Sequence, residues 1–178
     1  MTIAETMAAL ETQRSIAPDP AYTGVETADD FILAICRPTE DTAEKVSTWT
    51  VCADHVKEHS GALNAATSDE AFIRTGTVTT KTGTQRTFTV NGNRCVGDKF
   101  QDFVLSHAVK YGAGSDILVP YVYFSVRTGK GEQGTAALIV TSDVGGAANS
   151  PATFALDVKA AGTPAEFDYT AAIAAENG

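Results

Sequence analysis

The chain has 178 residues, of which 43% are hydrophobic and 20% are charged, and its net charge is −9. This length suits one well-buried domain and is short for two, and the composition excludes global disorder. Residues 1–60 carry −7 of the net charge, and there is no basic patch, so tight binding of nucleic acid is not expected.

The first 30 residues are predicted to form a partly irregular arm. Ile3, Met7 and Leu10 have helical spacing, and Pro18 and Pro20 end that pattern. This arm either packs on its own domain or reaches a neighbouring molecule. Its first 15 residues carry acids where a secretory signal would carry bases, so we expect the protein to be made in the cytoplasm.

Threonine and apolar residues predict four strands in the first half of the chain. The first two cover Phe31–Cys36 and Ser47–Val56. The next two, Phe72–Thr80 and Thr84–Val90, are predicted to form a hairpin that turns at Lys81-Thr82-Gly83.

One amphipathic helix is predicted over residues 98–111. The turn signal Asn91-Gly92 precedes it, Asp98 is a suitable N-cap, and Gly112 suits a left-handed end. The residues expected to dock this helix on the sheet are Phe100, Phe103, Val104 and Tyr111.

After Gly114 the apolar period changes from 3.6 to 2, as is typical of strands. Both faces of the segment Ile117–Val126 are apolar, which indicates a strand that is covered on two sides. We expect one of these faces to meet a neighbouring subunit. The residues predicted for that contact are Tyr121, Tyr123 and Phe31.

The remaining pattern predicts a glycine-rich loop at Gly129–Gly134 and strands at Thr135–Ser142, near Phe154–Val158 and near Glu166–Tyr169. About seven strands and one helix predict an α+β domain that is mainly β, an antiparallel sandwich or barrel over residues 31–171. Residues 172–178 are predicted to be a frayed tail.

Cys52, His55 and His59 are the best candidates for metal ligands, because they would share one face of a helix. The surrounding residues favour a strand, however, where Cys52 and His55 point to opposite faces, and no fourth ligand is nearby. With Cys36 and Cys95, Cys52 is expected to be a reduced, packed thiol. We therefore predict no metal.

Other sites of chemistry are also weak. His107 is expected to be structural, and a GxSxG serine motif is absent. The segment Gly129–Gly134 lacks the GK[ST] ending of a phosphate loop, and the acidic pairs Asp29-Asp30 and Glu40-Asp41 lack the spacing of a calcium loop. The sequence predicts no enzyme and no cofactor.

Several segments, taken in order, are similar to the major tail tube proteins of long-tailed bacteriophages. They are Arg86–Val90, Gly97-Asp98, Gln101–Phe103, Lys110–Gly112, Val119–Phe124, Gly129–Glu132 and Gly162–Phe167. The resemblance covers roughly the last half of the chain and parts of residues 45–80, and residues 1–44 show none.

The resemblance implies a β-sandwich with a flanking helix, assembled as hexameric rings that stack into a hollow tube. It implies about four strands per subunit in a continuous inner barrel, with tape measure, tail-tip and terminator proteins as partners. DNA would pass without tight binding, and the protein would belong to a virion tail assembled in the cytoplasm of a bacterial host. The candidates for the lumen lining are Asp157, Glu166 and Asp168.

Two other classes of protein stay open. A different ring-forming tail or secretion-tube component, such as a terminator, a distal tail ring or a type VI tube, would share the fold. A non-polymerising β-sandwich module, for carbohydrate binding or capsid decoration, would share only the architecture. Rings or tubes in micrographs distinguish the assembling classes from the monomeric module.

Overall fold

The computed structural model describes residues 1–176, and it is built around one curled antiparallel sheet that forms a half-barrel. The strands are β1 (Phe31–Ile35), β2 (Thr50–Val51), β3 (Val56–Ala62), β4 (Ala65–Phe72), β5 (Gly76–Thr84), β6 (Thr87–Asn93), β7 (Leu118–Ser125), β8 (Lys130–Gly145), β9 (Thr153–Ala160) and β10 (Ala165–Asp168). The helices are α1 (Ile3–Arg14), α2 (Lys99–Val104), α3 (His107–Tyr111) and α4 (Tyr169–Glu176). The fold class predicted from the sequence is confirmed.

The order of strands across the main sheet is β2-β1-β7-β8-β9-β6-β3, and β10 pairs with the first residues of β8. All pairings are antiparallel. The strands β4 and β5 pair with each other in a separate hairpin. Among the described residues, no helix is both long and apolar enough to cross a membrane.

An inner core fills the concave side of the sheet, and α2 and α3 close it. Alternate residues of the strands point into this core because successive side chains of a strand face opposite ways. Its largest buried members are Leu33, Ile35, Phe88, Val90, Phe100, Val104, Tyr121, Leu138, Phe154, Leu156 and Val158.

An outer core covers part of the opposite face of the sheet, where α1 lies on β1, β2 and β7. Its members include Ile3, Met7, Ile32, Trp49, Val122, Phe124, Val126 and Phe167. A capping box starts α1, since Thr2 and Glu5 exchange side-chain and backbone hydrogen bonds. The arm therefore packs on its own domain through α1.

The helix predicted over residues 98–111 is two helices. Asp98 caps the first, as predicted, but Ser106 starts a second one by accepting a hydrogen bond from the Val109 backbone nitrogen. Serine favours such caps over helix interiors because its hydroxyl competes for backbone groups. The prediction for Gly112 is also wrong: its φ of −67° is not left-handed, and a Cβ there would lie 2.3 Å from the Ala108 carbonyl oxygen.

The turn predicted for the hairpin is at the wrong residues. The chain reverses at residues 73–75, before Gly76 with a φ of +73°, whereas Lys81–Gly83 lie inside β5. Threonine-rich sequence runs through both regions, so strand propensity alone did not distinguish them. The Asn91-Gly92 pair is likewise inside β6, where β3 pairs on one side and β9 on the other.

Two other segments predicted to be irregular are ordered. The proposed loop Gly129–Gly134 mostly belongs to β8, because β7 and β10 pair with it on its two sides. The proposed frayed tail over residues 172–178 instead belongs to α4 as far as Glu176, and residues 177–178 lie outside the described part. Alanine-rich sequence favours this helix, and the Glu176 carboxylate accepts hydrogen bonds from Ser47.

Candidate assembly surface

The three residues considered as metal ligands lie in three different environments. Cys52 is buried at the end of β2, and burial raises the pKa of its thiol. His55 is exposed in a turn with a φ of +58°, and the Nδ1 atom of His59 is buried. Within residues 1–176, no three His, Cys, Asp or Glu side chains are grouped as a metal site would require, and all three cysteines are free thiols.

Three of the four acidic side chains considered for calcium have protein partners, and Asp29 is exposed. Asp30 is buried and accepts hydrogen bonds from the Thr27 backbone nitrogen and from Arg127 Nε, both at 2.8 Å. Asp41 binds the buried Arg37 guanidinium at 2.7 Å, and Glu40 pairs with the same side chain. Charge neutralisation makes the burial of Arg37 possible. These carboxylates fix loops to the sheet.

The face of the sheet opposite the inner core has two unequal halves. The half made by β1, β2 and β7 is covered by α1 and the outer core. The other half, made by β3, β6, β9 and the second part of β8, carries mainly polar and small side chains. Its residues are Glu58, Ser60, Thr89, Asn91, Ala137, Ile139, Ala155, Asp157 and Lys159. We call this half the open face.

The charges of the open face are few and largely paired. Asp157 accepts a hydrogen bond from the Thr89 hydroxyl at 2.9 Å and lies 3.4 Å from the Lys159 ammonium. Glu58 accepts a hydrogen bond from the Asn91 amide at 2.9 Å. The face is therefore neutral to slightly acidic, and its one lysine lies beside a carboxylate.

Two strand edges beside the open face lack a partner strand within the described chain. On one side, β3 pairs only with β6. On the other side, β8 continues past Ala137, where its pairing with β7 ends, as far as Gly145. Unpaired edges of this length invite pairing with another chain.

The three residues predicted to line a lumen do not share one face. Asp157 lies on the open face opposite Thr89 and Ile139. Glu166 pairs with Glu132, and Asp168 with Lys130, on the concave side. Asp168 also forms an ion pair with Lys130, and the hydrogen bonds of this pair lower the pKa of its carboxyl group. A lumen lined by the face that carries Asp157 would therefore not be lined by Glu166 or Asp168.

The protomer itself covers most of the strand with two apolar faces, and Leu118 at its start is exposed. Tyr121 is fully buried in the inner core, and Val122 and Phe124 are fully buried in the outer core. The inference of a subunit contact from this pattern is therefore wrong for Tyr121, because α1 supplies the second cover. Tyr123 and Phe31 are half-buried, and their rings stack at 5.3 Å.

The four residues predicted to dock the helix also differ in burial. Phe100 and Val104 are fully buried, and Phe103 is half-buried against the same core. Tyr111 is 74% exposed and its ring lies tilted against that of His107, because the break at Ser106 turns it off the apolar face. Sequence reasoning missed Gln101, whose buried amide bonds the backbone of Asp54, Asn93 and Cys95.

The hairpin of β4 and β5 projects from the open-face end of the sheet. Every residue of both strands is exposed. Its partly apolar end contains Phe72, Ile73 and Val78, and Ile73 is as exposed as in an extended chain. The described part of the chain thus presents an open face, two strand edges without a partner and a fully exposed hairpin, all suited to contact with other chains.

No protein-family model and no curated protein matches the sequence. Among solved structures, the fold is similar to a chain in the tail of an empty gene transfer agent (GTA) particle, determined by helical refinement with C6 symmetry. That similarity has a TM-score of 0.53 and 17% identity, and it covers 79% of this chain and 98% of the other. The fold is also similar to a chain from the virion of a native GTA particle, with a TM-score of 0.53 and 15% identity. That similarity covers 80% of this chain and 98% of the other. The comparison confirms the fold that the resemblance to tail tube proteins implied.

Proposed function

We propose that the chain is a structural subunit of a long-tailed virion, and that copies of it form hexameric rings which stack into a tail tube. The observation that carries the proposal is a fold shared, over nearly the full length of the other chain, with a component of a C6-symmetric tail. The open face, with a free strand edge on each side, supplies the means of assembly.

Edge-to-edge joining of the open sections gives a barrel of the right size. Six copies contribute β3, β6, β9 and the second part of β8, or about 24 strands. At a strand spacing of about 4.8 Å and a tilt of about 40°, the backbone diameter is about 48 Å and the bore about 35 Å. Such a bore admits a DNA duplex, and joining removes both free edges.

In this arrangement the open face lines the bore. Thr89, Asn91 and Asp157 would face the DNA, with Lys159 held beside Asp157. Many unpaired lysines and arginines would bind phosphates and slow a sliding genome, since each contact must be broken. A neutral or slightly acidic lining offers few such contacts, which suits a conduit. Tape measure, terminator and tail-tip proteins would complete the tail.

Electron microscopy of the purified full chain, with light scattering, tests the assembly. We expect rings with six-fold symmetry that stack into tubes as the concentration rises. Single rings that never stack would favour a terminator or distal ring component. A chain that stays monomeric at all concentrations would contradict the proposal and favour a binding module.

A second measurement tests the bore. Assembled tubes should bind free duplex DNA weakly, with little change between low and moderate salt. The variant T89K/N91K, which adds two cations to each copy's open face, should increase both the affinity and its dependence on salt. Strong, salt-sensitive binding by the unmodified tubes would contradict this lining. The matched control is Thr79→Lys with Thr77→Lys, on the exposed hairpin.

A further inference from the structure

The main sheet folds over the inner core in two layers. The first layer contains β1, β2, β7, β10 and the first part of β8, and the second contains β3, β6, β9 and the rest of β8. Phe88 on β6 contacts Tyr121 and Tyr123 on β7, with ring centroids 5.6 and 4.7 Å apart, although β8 and β9 separate those strands within the sheet. The two layers therefore face each other across the core.

The two ends of this core are closed in different ways. At the end of β6, α2 closes the core, and Gln101 bonds to the Asn93 carbonyl there. At the opposite end, Arg86 lies immediately before β6, and its Nε donates a hydrogen bond to Glu132 Oε1 on the first part of β8 at 2.6 Å. This ion pair joins the second layer to the first, and we call it the interlayer ion pair.

Neighbouring residues hold the Arg86 guanidinium in place. Its central carbon lies 4.3 Å from the centroid of the Phe88 ring and 5.5 Å from that of Tyr123, in favourable cation–π positions. On β3, a Cβ at Gly61 would lie 2.8 Å from Arg86 Nη1, so a glycine is needed for this close approach. The guanidinium thus contacts strands of both layers.

A second carboxylate makes the charge of Arg86 necessary at this position. Glu166 on β10 lies directly opposite Glu132 in the strand pairing. Like charges in such a pair repel each other, and the cation of Arg86 offsets that repulsion. Loss of Arg86 would leave two adjacent carboxylates on the first layer and nothing to attach them to the second.

We propose that the interlayer ion pair fixes the angle between the two layers, and thereby the number of copies in a closed ring. The proposal rests on the proposed function, in which copies join through the second layer, at the edges of β3 and β8. A contact between two different edges closes a ring only if the rotation from copy to copy completes a full turn, and otherwise gives open filaments. Arg86 faces the inner core and is not part of the open face, so it acts through the geometry of the protomer.

Electron microscopy of the full chain and of Arg86→Met tests this role in the assembly. Methionine keeps a flexible apolar side chain against Phe88 and Tyr123 but removes the ion pair. The unmodified chain should form six-fold rings, whereas Arg86→Met should lose this symmetry and give rings of other sizes and open arcs.

Arg94→Met is the matched control for these images. The Arg94 side chain is 18% exposed, close to the 15% of Arg86, and it also forms an ion pair with a carboxylate. Its partner, Asp102, is only eight residues away in the chain, so this pair does not join the two layers. Arg94→Met should keep six-fold rings.

Spin labels test the angle between the layers in protomers too dilute to assemble. In a Cys95→Ser background, Ser60→Cys on β3 and Ala165→Cys on β10 place labels at exposed positions on the two layers. Arg86→Met should lengthen the mean distance between the labels and broaden its distribution. Glu132→Gln should give a smaller change in the same direction, because it keeps an acceptor for Arg86, and Arg94→Met should give none.

The outcomes distinguish this proposal from the proposed function. If the unmodified chain forms six-fold rings and Arg86→Met forms the same rings, the interlayer ion pair does not set the ring size and the proposal is refuted. If Arg86→Met does not fold, the same two measurements on Glu132→Gln decide. A chain that never forms rings contradicts the proposed function instead, and an unchanged label distance in Arg86→Met refutes the role of the ion pair without any need for assembly.

Discussion

The strands β3 to β6 form one long β-ribbon, and its inner and outer halves differ in how much they bury. The inner half, β3 with β6, is part of the main sheet and buries Phe88 and Val90 in the inner core. The outer half, β4 with β5, is equally regular in its pairing but buries nothing. Regular hydrogen bonding is therefore not what distinguishes them. The difference lies in whether alternate side chains are apolar and have a surface to pack against.

The largest expected effect comes from exchanging apolar side chains for alanine in the two halves. Phe88→Ala should lower the free energy of unfolding by about 3–5 kcal/mol, because it leaves a cavity in the inner core. Ile73→Ala, at the exposed end, should change it by less than about 0.5 kcal/mol. Urea denaturation of unassembled protomers measures both. If Phe88→Ala and Ile73→Ala lowered the free energy of unfolding by similar amounts, the two halves of the ribbon would not differ in their contribution to stability.

A smaller effect is expected where the inner half is anchored. The Gln101 side chain accepts a hydrogen bond from Cys95 at 2.7 Å and donates to the Asp54 and Asn93 carbonyls at 2.8 and 3.2 Å. Gln101→Ala should cost about 1–3 kcal/mol, because it removes the three hydrogen bonds of a fully buried side chain. The exposed Gln85 lies where the two halves meet, and Gln85→Ala serves as the control, with a change expected below about 0.5 kcal/mol.

The irregular segment before β1 sharpens the comparison, because specific bonds hold it without regular pairing. The pKa of Asp30 is lowered, mainly by the hydrogen bond from the Thr27 backbone nitrogen and further by the hydrogen bond from the Arg127 side chain. A lowered carboxyl pKa adds stability at pH values above the unfolded pKa of about 4, and this stability is lost as pH falls through the folded pKa.

Asp30→Asn should therefore cost about 1 kcal/mol at neutral pH and flatten the acid side of the stability profile. Thermal unfolding followed from pH 7 to pH 3 measures both effects. The neighbouring Asp29 is exposed, and Asp29→Asn is the matched control. An acid profile that is the same for Asp30→Asn and the parent chain would show that this carboxylate does not hold the segment.

Several elements of the fold could be predicted because their signal is local. The alternation in Phe154–Lys159 and the two apolar faces of Ile117–Val126 identify strands without any knowledge of their partners. Asp98 caps α2, as its side chain and position predict. The division of a helix at Ser106 was missed because a serine within an apolar helical pattern is compatible with either a cap or a helix interior.

The candidate surface was harder to predict because it depends on which faces the rest of the chain covers. The apolar stretch around Tyr121 resembles an interface in sequence, and yet α1 and the two cores bury it within the protomer. Conversely, the threonines and short side chains of β4 and β5 gave no sign of an isolated projection. Asp157 and Glu166 both alternate with apolar residues, but only strand register shows that they face opposite ways.

The sequence by itself determined the class of fold, most strands, a short helix near the amino terminus, the start of α2, and the absence of a recognisable catalytic motif, because each depends on neighbouring residues and on periodicity. Only the tertiary structure decided which half of the face opposite the inner core is covered, and, within residues 1–176, which strand edges lack partners and that the β4–β5 hairpin stands free. Those properties arise from contacts between residues far apart in the chain. Burial and pairing are set by the complete arrangement of the sheet and its helices, and no local pattern encodes them.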